Sequence, residues 1–124
     1  MIPDFNDAEI KVIHDTLKER YGEEKETQRC DVELRHYPDD REMTECPSVY
    51  WEHDGCHFIL SKVDDSKFFS QFFYNDKEQF GTGTKFYTDL FNCLVTTLQV
   101  QADHEREKNM QKDSQLIQTM PANV

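Results

Sequence analysis

A chain of 124 residues has room for one domain and one hydrophobic core. It is 36% hydrophobic and 31% charged, with a formal net charge of -11. This composition suits a globular protein and argues against unaided binding to a phosphate backbone, which needs basic residues to displace counterions. No apolar run reaches the ~20 residues of a membrane span, and MIPDFNDAE lacks the basic segment of a secretory signal, so no membrane contact and a cytoplasmic location are expected. The negative charge is concentrated in the first half: Met1 to Asp54 holds 16 acidic and 7 basic residues, against 9 and 7 from Gly55 onward.

The first element is a helix. Asn6 is placed to cap it, Glu9 to close a capping box, and Phe5 to staple against Ile10. Ile10, Ile13, Leu17 and Tyr21 then recur at helical spacing, and Gly22 suits the left-handed residue that ends the helix. From Glu24 to Tyr37 the period changes to two. Cys30, Val32, Leu34 and His36 alternate with Arg29, Asp31, Glu33 and Arg35, which predicts a strand with one side in a core and the other charged. Pro38-Asp39-Asp40 ends it, and a polar loop runs to Pro47.

The stretch Ser48 to Asn75 reads as three antiparallel strands. Asp54-Gly55 between alternating apolar runs predicts a two-residue type I′ hairpin, which sets Val49, Trp51 and His53 opposite Leu60, Phe58 and Cys56 on one face. Tyr50, Ile59 and Val63 take the other face. The last strand, Lys67 to Asn75, carries aromatics on both faces, so its register depends on the preceding turn. A turn at Asp64-Asp65 puts Phe68, Phe72 and Tyr74 beside Tyr50 and Ile59; adding Ser66 to the turn exchanges them with Phe69 and Phe73.

Asn75 to Thr84 reads as a loop leading to a second helix capped by Thr84. Phe86, Leu90, Leu94 and Leu98 form its apolar stripe, flanked by Tyr87, Phe91, Val95 and Ala102. Beyond residue 108 the pattern stops. Residues 109–124 are expected to be a frayed or disordered tail, with a weak contact through Leu116 and Ile117. The expected fold of 1–108 is a single α+β domain. It is a two-layer sandwich of an N-terminal helix, a four-stranded antiparallel meander and a C-terminal helix. A long helix laid across such a meander resembles the cystatin-like arrangement, an analogy of architecture that carries no function.

Chemistry-bearing groups are few. His53, Cys56 and His57 flank the hairpin turn, and imidazole with thiolate suits zinc or haem iron, but His57 alternates to the opposite face from the other two. Cys46-Pro47 resembles the haem-regulatory dipeptide, in which the cysteine ligates iron. A metal or haem site using Cys46, His53, Cys56 and His57 is therefore an alternative reading. Gly81-Thr82-Gly83-Thr84-Lys85 does not match a nucleotide-binding loop. No serine sits in a nucleophile elbow, and Cys56 and His57, adjacent in sequence, project to opposite faces, so no enzymatic activity is expected.

The reading that accounts for most of the chain is a small acidic binding protein without catalysis, working through the aromatic open face of its sheet. Tyr50, Ile59, Phe68, Phe72 and Tyr74 would supply contact, and Asp31, Glu33 and Glu52 orientation, toward a protein partner or a second copy in a homodimer. A further alternative suggested by the charge is an acidic inhibitor that mimics nucleic acid.

Overall fold

The computed structural model describes residues 2–35, 39, 41–75 and 78–119, the side chains of 78 and 111–119 excepted. The order is α1 (Asp7–Tyr21), β1 (Gln28–Leu34), β2 (Thr44–His53), β3 (Cys56–Asp64), β4 (Lys67–Asn75), β5 (Glu78–Phe80) and α2 (Leu90–Thr119). The strands form one antiparallel meander in sequence order. The α+β architecture is as expected, with a fifth strand where the sequence suggests a loop.

Helix α1 forms for the reasons its sequence supplies. Asn6 Oδ1 accepts from the Glu9 N–H at 2.8 Å, and Glu9 Oε1 accepts from the Asn6 N–H at 2.9 Å. Gly22 ends the helix at φ 76°, its N–H donating to the Lys18 carbonyl at 2.8 Å. Ile13 and Leu17 are fully buried. The β2–β3 hairpin also forms as predicted: Asp54 (φ 50°) and Gly55 (φ 79°) are both left-handed, which defines type I′, and His53 pairs with Cys56.

Strand β4 takes the register that includes Ser66 in the connection. A bulge between Lys62 and Asp64 precedes the Asp65-Ser66 turn, after which Lys62 pairs with Phe68, Phe58 with Phe72 and His57 with Phe73. Phe68 and Phe72 therefore join Val49, Trp51, Phe58 and Leu60 on the face that both helices cover. Helix α2 contributes Leu90, Cys93, Leu94 and Leu98 to that core.

Three boundaries differ from the sequence reading. Helix α2 starts at Leu90 instead of after Thr84, with Asp89 Oδ1 accepting from the Phe91 N–H at 3.2 Å in place of the expected threonine cap. The preceding Tyr87 is extended and exchanges two backbone hydrogen bonds of 2.8 Å with Phe68. Strand β1 is shorter than Glu24 to Tyr37, and its expected end at Tyr37 lies outside the described residues. The helical backbone continues to Thr119, while the proposed contact through Leu116 and Ile117 concerns side chains outside those described, as does the rest of the tail.

Candidate functional site

Register decides which side chains meet on the sheet face opposite the helices. Cys30 pairs with Ser48 and Val32 with Cys46, so the apolar side of β1 lies on this open face, and Arg29, Asp31 and Glu33 project on the helix side. The expectation that charge from β1 would border the open face is corrected: Asp31 and Glu33 stand on the other side of the sheet from Glu52. Phe68 (3% exposed) and Phe72 (1%) are likewise core residues and leave the contact set. Tyr74 turns toward α2. Its hydroxyl accepts from Gln101 Nε2 at 3.2 Å, and its ring stacks on His104 at 5.5 Å.

Tyr50 and Ile59 remain on the open face, joined by His57, Phe69 and Phe73, all half-buried and all outside the core cluster. Adjacent strands bring Tyr50, His57 and Phe73 into a row of near-parallel rings. The His57 ring lies 5.9 Å from Tyr50 at 21° and 5.1 Å from Phe73 at 18°. Tyr50 Oη is 2.6 Å from His57 Nδ1, a hydrogen bond whose direction follows the imidazole tautomer. Glu52 Oε2 stands 3.9 Å from the same nitrogen at the rim. Burial, and secondarily the Glu52 carboxylate, raises the Tyr50 phenol above its usual value, so it remains a hydrogen-bonding hydroxyl at neutral pH.

Behind this row the Ser48 and Ser61 hydroxyls share a 2.7 Å hydrogen bond, and both residues are buried. Next to them Cys46 is buried, its thiol donating to the Thr44 carbonyl at 3.5 Å. The centre of the face from Cys30 across to Phe73 thus carries thiol, hydroxyl, aliphatic and aromatic groups and the buried Gln71 carboxamide opposite Ile59, with Glu52 at one end. A groove of about 410 Å³ at that end is lined by Glu23, Glu24, Glu26 and Glu52, with Lys25, Tyr50 and others beside them.

The residues considered for a metal are divided between the two faces. His53 lies on the helix side, stacked on Tyr21 at 3.9 Å with its Nδ1 3.0 Å from Lys25 Nζ. Cys56 lies beside it, but burial pushes its thiol up to about 11, so it stays protonated at neutral pH. His57 and Cys46 are on the open face. Among the described residues no three His, Cys, Asp or Glu side chains converge as a metal site requires.

One cluster escaped the sequence reading. His104 sits among Phe72, Tyr74 and Phe80, with ring centroids 5.9, 5.5 and 4.3 Å away, and Lys108 Nζ lies over Tyr74 at 4.4 Å. Its signal was the helical spacing from Leu94 through Leu98 and Gln101, which becomes informative once Phe80 is placed in a strand. This cluster locks the middle of α2 to the β4–β5 edge. Comparison with protein-family models, curated proteins and solved structures gives no match.

Proposed function

We propose that this protein is a non-enzymatic binding module whose open sheet face receives a protein partner. The observation that carries the reading is the composition of that face. In a chain that is 31% charged, the row Tyr50–His57–Phe73 and its neighbours Ile59 and Phe69 form an aromatic and aliphatic, half-buried surface on the side away from both helices. Contiguous apolar surface of this kind is uncommon except where another molecule binds, and aromatic rings contribute large contact area at low entropic cost. The carboxylates at one end suit a partner that sets a basic side chain beside an apolar patch. The raised thiols of Cys30, Cys46, Cys56 and Cys93 fit a role without nucleophilic chemistry.

The test is paired substitution on the open face. Ile59→Asp and Phe73→Asp each place a carboxylate in its centre while leaving the helix-side core untouched. Both variants should keep the wild-type circular dichroism spectrum and weaken capture of a partner from extracts of the source cell by about tenfold or more. A partner retained in full by both folded variants would remove the open face as its site.

A further inference from the structure

Beyond that face, the sheet has one long edge that nothing described covers. Strand β5 is three residues, and the remainder of the β4 edge is closed where Tyr87 bonds to Phe68 in both directions. Strand β1 forms the opposite edge with seven residues. Its pairing to β2 is continuous from Gln28 to Leu34 with no bulge, and it contains neither proline nor glycine. Such an edge presents a row of backbone N–H and C=O groups suited to another strand, and it lacks the bulge or proline that commonly protects one.

The side chains on this edge specify a particular occupant. We propose that it pairs with the β1 strand of a second copy of this chain, antiparallel, about a two-fold axis through Cys30. An axis perpendicular to the sheet keeps both helix layers on one side and sets residues of like face opposite each other. With the axis at Cys30, Arg29 faces the partner's Asp31, twice, and Cys30 faces the partner's Cys30. Moving the axis to Arg29 opposes two arginines, and moving it to Val32 sets Asp31 against the partner's Glu33 twice. Moving it to Asp31 pairs Arg29 with the partner's Glu33 twice but opposes two aspartates at its centre. Within β1 the Cys30 axis alone gives opposite-charge pairs and no like-charge pair. Opposite charges across strands stabilise the pairing and like charges oppose it, so the charge pattern selects one register. Arg29 already holds Asp4 at 2.5 Å on the exposed surface, and its five N–H donors leave room for a second carboxylate. Cys30 is the exposed thiol, whereas Cys46, Cys56 and Cys93 are buried, so it can report the register. Joined this way, two open faces form one continuous surface.

Sedimentation equilibrium on the full chain tests the pairing. Wild type should be a reversible dimer. Arg29→Asp and Asp31→Arg should each weaken it by about tenfold or more, since each turns two attractive pairs repulsive. The decisive sample is the mixture of these two variants. The first carries aspartate at both positions and the second arginine at both, so every cross-strand pair between them is again attractive. The mixture should form a heterodimer at least as tight as the wild-type dimer. Under diamide, two facing Cys30 thiols lose two protons and two electrons to the oxidant and form a disulfide-linked dimer, which Cys30→Ser should abolish. A wild type that is monomeric at every concentration overturns the proposal, as does a dimer indifferent to Arg29→Asp or a mixture that does not associate. Arg29 and Asp31 project away from the open face, so these outcomes are separable from those of Ile59→Asp and Phe73→Asp.

Discussion

A lysine buried on the core side of a sheet needs hydrogen-bond partners, and Lys62 finds two around the start of α1. Its Nζ lies 2.7 Å from Glu9 Oε1 and donates to the Asp4 carbonyl at 3.2 Å, with the residue 2% exposed. The same Glu9 oxygen accepts from the Asn6 N–H, so one carboxylate both caps the helix and neutralises a charge from β3. Removing one member of such a pair leaves an uncompensated buried charge. Glu9→Gln, which preserves the capping hydrogen bond, should therefore cost about 3 kcal/mol in urea unfolding. Adding Lys62→Met to it should recover most of that loss. If Glu9→Gln is neutral, water solvates the ammonium and the pair does not tie α1 to the sheet.

At the scale of elements, the β2–β3 hairpin sets the alignment of Trp51 on Phe58 and of Tyr50 on Ile59. A side chain on Gly55 would meet nothing within 4 Å, so the requirement for glycine is conformational: φ is 79°. Gly55→Val should destabilise by about 1–2 kcal/mol or more, because a β-branched residue resists the left-handed region. Gly55→Asn should lose much less, since asparagine tolerates that conformation. Thermal melts giving equal losses for both would show that the turn relaxes to another type. Helix α2 is positioned differently, by contacts distributed along its length. Cys93 and Thr97 lie on its buried side, where the Thr97 hydroxyl meets the Ser70 hydroxyl of β4, and the His104 cluster fixes its middle.

For the whole molecule, the assignment of faces rests on one residue of register at β4, and two adjacent phenylalanines test it. Phe72 is 1% exposed in the core, whereas Phe73 lies half-buried on the open face. Phe72→Ala should cost about 3–5 kcal/mol, the range for a buried ring. Phe73→Ala should stay within about 1 kcal/mol and leave a folded protein. Urea melts in the reverse order would place Phe73 in the core, restore the register with a turn at Asp64-Asp65, and exchange the residues available to a partner.

The division between local and tertiary information follows the same elements. Helix α1, its cap and its stop were legible because Asn6, Glu9 and Gly22 act within a few residues of one another, and the type I′ hairpin was legible because Asp54-Gly55 needs no distant contact. The register of β4 was not. Phe68, Phe69, Phe72 and Phe73 offer an apolar pair to either face, so alternation alone could not choose between turns with and without Ser66. The core decided it: Phe68 and Phe72 pack among Phe5, Phe58 and Tyr87, and the bulge between Lys62 and Asp64 adjusts the chain to that fit. Strand β1 shows the same limit, since its sequence separated charged from apolar sides without saying which side the helices would cover. The start of α2 was hidden because Phe86 and Tyr87 continue a helical stripe locally, while Tyr87 is held extended by its bonds to Phe68. Local chemistry determined α1, the β2–β3 hairpin and the presence of the other long elements, whereas β5 and the start of α2 depended on pairing with β4. Which face each presents depended on packing between residues far apart in the chain, and only the assembled sheet and helices decided it.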